Sequence, residues 1–252
     1  MFKTKAFISE RVWGYERWIA SVHPAGQATV DAATEFIGGK NLSSVIGDSY
    51  PLLIKIIQAN EVLSVQVHPD DDYARIHENS AGKTECWYIL DAKPGASLIY
   101  GLSGDYGREE LRKAIENNSL DAYLQSVQVE RGDFVFIPAG TVHAITGGLR
   151  LLEIQESSDI TYRLYDWGRG REVHIEKGLD VIKPECNKRV SAFEPFPGRF
   201  TCPYFTLEKK DYTVKGRICF AKELTNEQIP AFLSVVLLDM WGYKVASKNL
   251  RQ

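Results

Sequence analysis

The chain has 252 residues, of which 44% are hydrophobic and 25% charged, and its formal net charge is -3. That length buries one large core or two small ones. The charge balance lacks the basic surplus of a nucleic-acid binder, and no apolar run is long enough to span a membrane. The opening "MFKTKAFISERVWGYERW" has no continuous apolar stretch followed by a small-residue cleavage site, so it reads as the start of a cytoplasmic protein. Cys86, Cys186, Cys202 and Cys219 form no CxxC pair and read as reduced thiols. Cys86 is flanked by Trp87, Tyr88, Ile89 and Leu90, the neighbours of a packed strand.

Strand-like segments dominate in chain order. "PLLIKIIQA" (51–59), "LSVQVH" (63–68), "ECWYIL" (85–90), "ASLIYGL" (96–102), "LQSVQVE" (124–130), "DFVFIP" (133–138) and "LRLLEIQ" (149–155) are rich in β-branched and aromatic residues. Two helices interrupt them. One covers "DDDYARIHEN" (70–79), with acidic residues where the helix dipole favours them. The other covers "GREELRKAIENN" (107–118), where Leu111, Ala114 and Ile115 fall at helical spacing. Many short strands with few helices predict a sandwich or barrel. From residue 184 the prolines crowd (Pro184, Pro195, Pro197, Pro203 and Pro230), which places a boundary near 185. Further strands are expected at 204–214, 217–224 and 231–245.

Chemistry gathers in three places. "GDFVFIPAGTVHAITGG" has the spacing G-x5-P-x-G-x2-H-x3-G, with His143 just past a strand that exits through Pro138 and Gly140. This matches the second signature of the cupin barrels, with Gly147 where Asn is usual. In "SVQVHPDD", Gln66 and His68 lie two apart on a strand and leave the same face. Gln66 stands where the first cupin signature has a histidine. In "GKTECWYIL", Glu85 opens a strand, and Lys83 shares its face if the strand begins at Lys83. Alone, His68 reads as a turn histidine, Glu85 as a solvated rim charge and Lys83 as an exposed turn lysine. Jointly, Gln66, His68, Glu85 and His143 sit at the rims of successive strands. An amide oxygen, a carboxylate and two imidazoles suit zinc or a related dication. Arg163, by local sequence, reads as an ion-pair partner of Asp159 or Asp166. Tyr162 and Tyr165 are expected on the face opposite Arg163. His23, His77 and His174 have no ligand spacing, and "GRGR" lacks the context of a phosphate loop.

Four segments in order, "LSVQVHPDDDYA", "GKTECWYIL", "GDFVFIPAGTVHAI" and "SSDITYRLYDWGR", together resemble type I mannose-6-phosphate isomerase in its short bacterial form. The resemblance implies a mainly β fold. A cupin (jelly-roll) barrel with a few helices is expected over 1–184. A second, incomplete cupin-like β domain is expected over 185–252, because the chain stops at "LLDMWGYKVASKNLRQ" where the family continues. It implies one Zn2+ per chain on Gln66, His68, Glu85 and His143. It raises Arg163 to an essential catalytic group and places the family's lysine on Lys83, as proton shuttle or phosphate binder. The implied reaction interconverts D-mannose 6-phosphate and D-fructose 6-phosphate. The expected partner is a hexose phosphate, with no nucleic acid or membrane, in a monomer or homodimer. Two rival readings remain: a non-enzymatic metal-containing sugar-phosphate-binding regulator, and an iron oxygenase of the same fold, against which Gln66 argues.

Overall fold

The computed structural model describes residues 2–209, 217–221, 234–238 and 243–247. It divides into two compact units, one built of 10–16 and 56–195, the other of 1–9, 17–55 and 196–252. The first unit carries every candidate residue. Its elements are β1 (Leu52–Ala59, entering at Ile56), β2 (Val65–Val67), α1 (Asp71–His77), β3 (Glu85–Ala92) and β4 (Ser97–Leu102). They continue with α2 (Arg108–Glu116), β5 (Leu124–Gln128), β6 (Asp133–Ile137), β7 (His143–Ile145), β8 (Leu149–Glu156), β9 (Tyr162–Tyr165) and α3 (Ile175–Val181).

Two antiparallel sheets face each other. One contains the consecutive strands β6-β3-β8-β1, and the other has the order β9-β2-β7-β4-β5. Side chains alternate along each strand, and the burial follows that alternation. Trp87, Ile89, Val135, Ile137, Leu151, Leu98 and Ile145 meet in the cluster between the sheets. Val65, Val67, Ile99, Ala144, Tyr162 and Leu164 leave the outer face of the second sheet and pack under α2 and α3. Because β3 and β8 are buried on both faces, their sequences read as nearly continuous apolar runs.

The expected helices form with the expected ends. The Asp70 side chain caps α1 by accepting from Tyr73 N at 2.9 Å, and Asp71 and Asp72 fill the first turn. Leu111, Ala114 and Ile115 are the buried face of α2. A third helix, α3, was not legible, and Gly178 explains why. A Cβ there would come 2.4 Å from Leu164 Cδ2, so close packing on β9 selects a poor helix former.

In the second unit, Thr4–Lys5 pairs antiparallel with Thr29–Val30. A five-stranded sheet runs Arg199–Thr201, Phe205–Lys209, Tyr243–Ser247, Ser234–Leu238, Arg217–Ala221. The segment 231–245, read as one strand, instead supplies two that pair with each other. The rest of the strands expected at 204–214 and 217–224 lies outside the described residues. No helix among the described residues is long and apolar enough to cross a membrane.

Gly140 has φ +96°, a region open to glycine and costly for other residues. Its N–H donates to His68 O at 2.9 Å, tying the two histidine motifs together. Gly140→Ala should cost about 1–3 kcal/mol, read as a lowered urea midpoint with an unchanged m-value.

Candidate metal centre

Strand register decides which candidates can meet. Across the second sheet, Arg163 lies opposite Gln66, and Gln66 opposite His143. Directly opposed residues share a face, so these three form one row lining the inside of the barrel. Across the other sheet Glu85 lies opposite Ile137 and Gln155. His68 leaves β2 two residues after Gln66, on the same side.

The side chains converge as their registers require. Oxygen or nitrogen atoms of His68, Glu85 and His143 all lie within 4.8 Å of one another. His143 Nε2 is 3.5 Å from Glu85 Oε1, and His68 Nε2 is 3.7 Å from Glu85 Oε2. The Gln66 amide reaches within 3.3 Å of His143 Nε2 through its nitrogen, and turning the amide by half a revolution presents its oxygen instead. Tetrahedral ligands about 2.0–2.2 Å from a zinc ion stand about 3.3–3.6 Å apart. The 3.3 and 3.5 Å spacings match that edge and the 3.7 Å one lies close to it, so the donor chemistry fits a small dication.

The imidazoles are prepared for the task by their outer nitrogens. His68 Nδ1 lies 2.9 Å from Ile160 O, and His143 Nδ1 lies 2.9 Å from Thr141 O. A carbonyl only accepts, so each Nδ1 carries the proton and each Nε2 turns its lone pair toward the centre. Burial pushes His143 down to about 4, holding it neutral at physiological pH. The Trp87 ring packs edge-on against His143, with centroids 5.5 Å apart.

Glu85 is fully buried, so it is no rim charge. Lys83 is buried too, which removes the reading of an exposed turn lysine. Its route into the site differs from the expected one, because β3 starts at Glu85 and Lys83 belongs to the preceding loop. Lys83 N donates to Pro69 O at 3.0 Å, and the chain there delivers Nζ to 3.0 Å from Glu85 Oε2 and 2.9 Å from His68 Nε2.

Arg163 is half-buried, and its Nη1 donates to Glu172 O at 2.7 Å. Asp166 does not hold it as the local reading allowed. That carboxylate is taken by Arg169 and Arg171, at 2.8 and 2.5 Å. Burial, then the nearby charge of Arg171, lowers the Arg163 pKa. Tyr162 and Tyr165 lie in the outer cluster, away from the row, as expected. His174 is no ligand; its Nδ1 accepts from Arg163 N at 2.9 Å and fixes that strand.

Sequence reasoning missed the groups behind the ligands. Gln155 sits opposite Glu85, fully buried, and its amide nitrogen donates to Glu156 O and Ser158 O at 2.8 and 2.6 Å. Those bonds shape the turn that brings Ile160 O to His68. Backbone acceptors leave no trace in residue type, so only the adjacent "QESSD" polarity could have hinted at them.

A family model described as phosphomannose isomerase type I, catalytic domain, matches residues 14–95. The chain is 41% identical over 213 residues to "Mannose-6-phosphate isomerase ManA" of Bacillus subtilis (strain 168), covering 71% of this chain and 67% of that protein. The chain belongs to the type I mannose-6-phosphate isomerase family. It is also 43% identical over 185 residues to "Probable mannose-6-phosphate isomerase GmuF" of the same organism, covering 66% of this chain. The match spans 58% of that relative's length. The mannose 6-phosphate isomerase structure from Bacillus subtilis superposes with TM-score 0.75 at 26% identity, covering 98% of this chain and 96% of that one. The mainly β cupin fold is therefore the family's fold.

Elemental analysis should find about one divalent ion per chain. His143→Ala should reduce it to near zero while circular dichroism keeps the β signature.

Proposed function

We propose that this chain is an isomerase of the family's own kind, interconverting D-mannose 6-phosphate and D-fructose 6-phosphate with zinc on Gln66, His68, Glu85 and His143. The observation that carries the reading is the convergence of those four residues with buried Lys83 and with Arg163 in the Gln66 row. The reaction moves one proton from C2 to C1 and another from O2 to O1. Removing the C2 proton leaves an enediolate, whose charge is the main barrier. A dication on these donors would supply positive charge for O1 and O2, with only Glu85 offsetting it.

The chain's own groups do the rest. Lys83 moves the proton between carbon atoms: its Nζ lies inside the donor cluster, not at a rim where a phosphate would sit. Arg163 presents a planar cationic fork on the same barrel face and holds the enediolate or the phosphate. Buried walls, with Trp87 beside His143, keep bulk water from protonating the intermediate. The substrate is a hexose phosphate in the cytoplasm, and the division into a catalytic barrel over 1–184 and a cupin-like domain over 185–252 belongs to the same proposal.

The decisive experiment couples metal analysis to an isomerisation assay. Chelation should abolish mannose 6-phosphate turnover, and zinc should restore it. Full turnover by a metal-free sample would defeat the proposal. Lys83→Met should lower kcat by about 10²–10⁴-fold with bound metal retained. Arg163→Lys keeps the charge but loses the fork, and should cost about 10²-fold or more in kcat/KM.

A further inference from the structure

The segment Gly82-Lys83-Thr84 is held at three consecutive backbone N–H groups. Gly82 N donates to Asp71 Oδ1 at 2.8 Å, Lys83 N to Pro69 O at 3.0 Å, and Thr84 N to Glu156 Oε2 at 2.7 Å. Thr84 O returns the contact by accepting from Glu156 N at 3.2 Å. The segment lies directly on the first turn of α1: a Cβ on Gly82 would meet Asp70 C and Asp71 N at 2.5 Å. Two of the three acceptors are side-chain carboxyls, those of Asp71 and Glu156. They hold the segment at the residues on either side of the proposed proton carrier.

We propose that Glu156 is a positioning residue for Lys83: its carboxyl, bonded to Thr84 N, clamps the Gly82–Thr84 segment and so fixes where the lysine Nζ stands. Glu156 keeps its proton well above the usual carboxylate range. Burial, with Asp71 as the charged group facing it from α1, pushes it up to about 8, against the lowering effect of the Thr84 N–H. Lys83, on the clamped segment, directs its ammonium to His68 and Glu85. When Glu156 loses its proton, two carboxylates face each other across the segment, and the clamp opens.

The inference rests on Lys83 carrying the proton in the proposed reaction, and its test has one arm that does not. Glu156→Gln reproduces the protonated state, since Oε1 accepts from Thr84 N and the amide stays neutral. The native protein should lose kcat/KM as pH rises past about 8, and Glu156→Gln should retain it for at least one further pH unit. Glu156→Leu should lower kcat by about 10²-fold at every pH, with bound metal and KM little changed. The independent arm is stability. A folded-state pKa raised from 4.5 to about 8 means the native state holds a proton that the unfolded chain releases, so stability falls as pH rises through that window. Glu156→Gln should flatten that slope and slow amide exchange at Gly82, Lys83 and Thr84 relative to the native protein above pH 8. A Gln variant with the native pH profile, stability slope and exchange rates would overturn the proposal. If the native protein isomerises nothing at any pH, the proposed function fails, and the stability and exchange arm still decides for or against the clamp.

Discussion

The hydrogen bond from Gly140 N to His68 O is the join on which the centre depends. It binds the exit of the His68 strand to the turn that leads into the His143 strand, far along the chain. A residue with a Cβ resists the backbone angle that makes the bond. Once these two segments are joined, sheet register does the remaining work. Gln66 faces His143 across one pair and Arg163 across the next, so one row of a single face carries amide, imidazole and guanidinium. A slip of one residue would turn all three outward.

That arrangement is electrostatically expensive, and the surrounding groups reveal how the cost is met. A buried carboxylate such as Glu85 loses its hydration, and Lys83 at 3.0 Å offsets that loss. Burial keeps His143 neutral. The Nδ1 atoms of His68 and His143 face backbone carbonyls, which accept a hydrogen bond without adding a charge. The donor set therefore concentrates lone pairs with one carboxylate charge, a combination suited to a dication.

Much of this was legible in the sequence because its signals are local. Period-two spacing placed Gln66 and His68 on one face, and the Pro138–Gly140 exit announced the turn before His143. The candidate donor set was thus read from residue types at strand ends. The fold class followed from short β-branched runs separated by turn residues. What stayed hidden depended on tertiary approach. Gly178 disguises α3, because the helix gives up propensity to pack closely on Leu164. Lys83 looked like a turn residue, since the strand end that holds its segment, at Glu156, is remote in sequence. Arg163 looked like a partner of Asp166 until Arg169 and Arg171 were seen to claim that carboxylate.

The neighbours Gln155 and Glu156 carry the argument one step further. Successive residues of a strand face opposite sides, and here both sides are buried and polar. Gln155, on the barrel side, organises the turn that presents Ile160 O to His68. Glu156, on the other side, grips the loop that presents Lys83. One strand end thereby supports a candidate metal ligand and the proposed proton carrier through separate sets of hydrogen bonds. The consequence is a division of labour that a hydrophobic strand end could not provide. Apolar residues there would pack as well, yet they would leave the Thr84 N–H and the Ser158 carbonyl buried without partners, each costing about 1–3 kcal/mol. The polar pair is thus required by the loops it serves, and its energetic burden falls on the ends of the barrel, where the chemistry is.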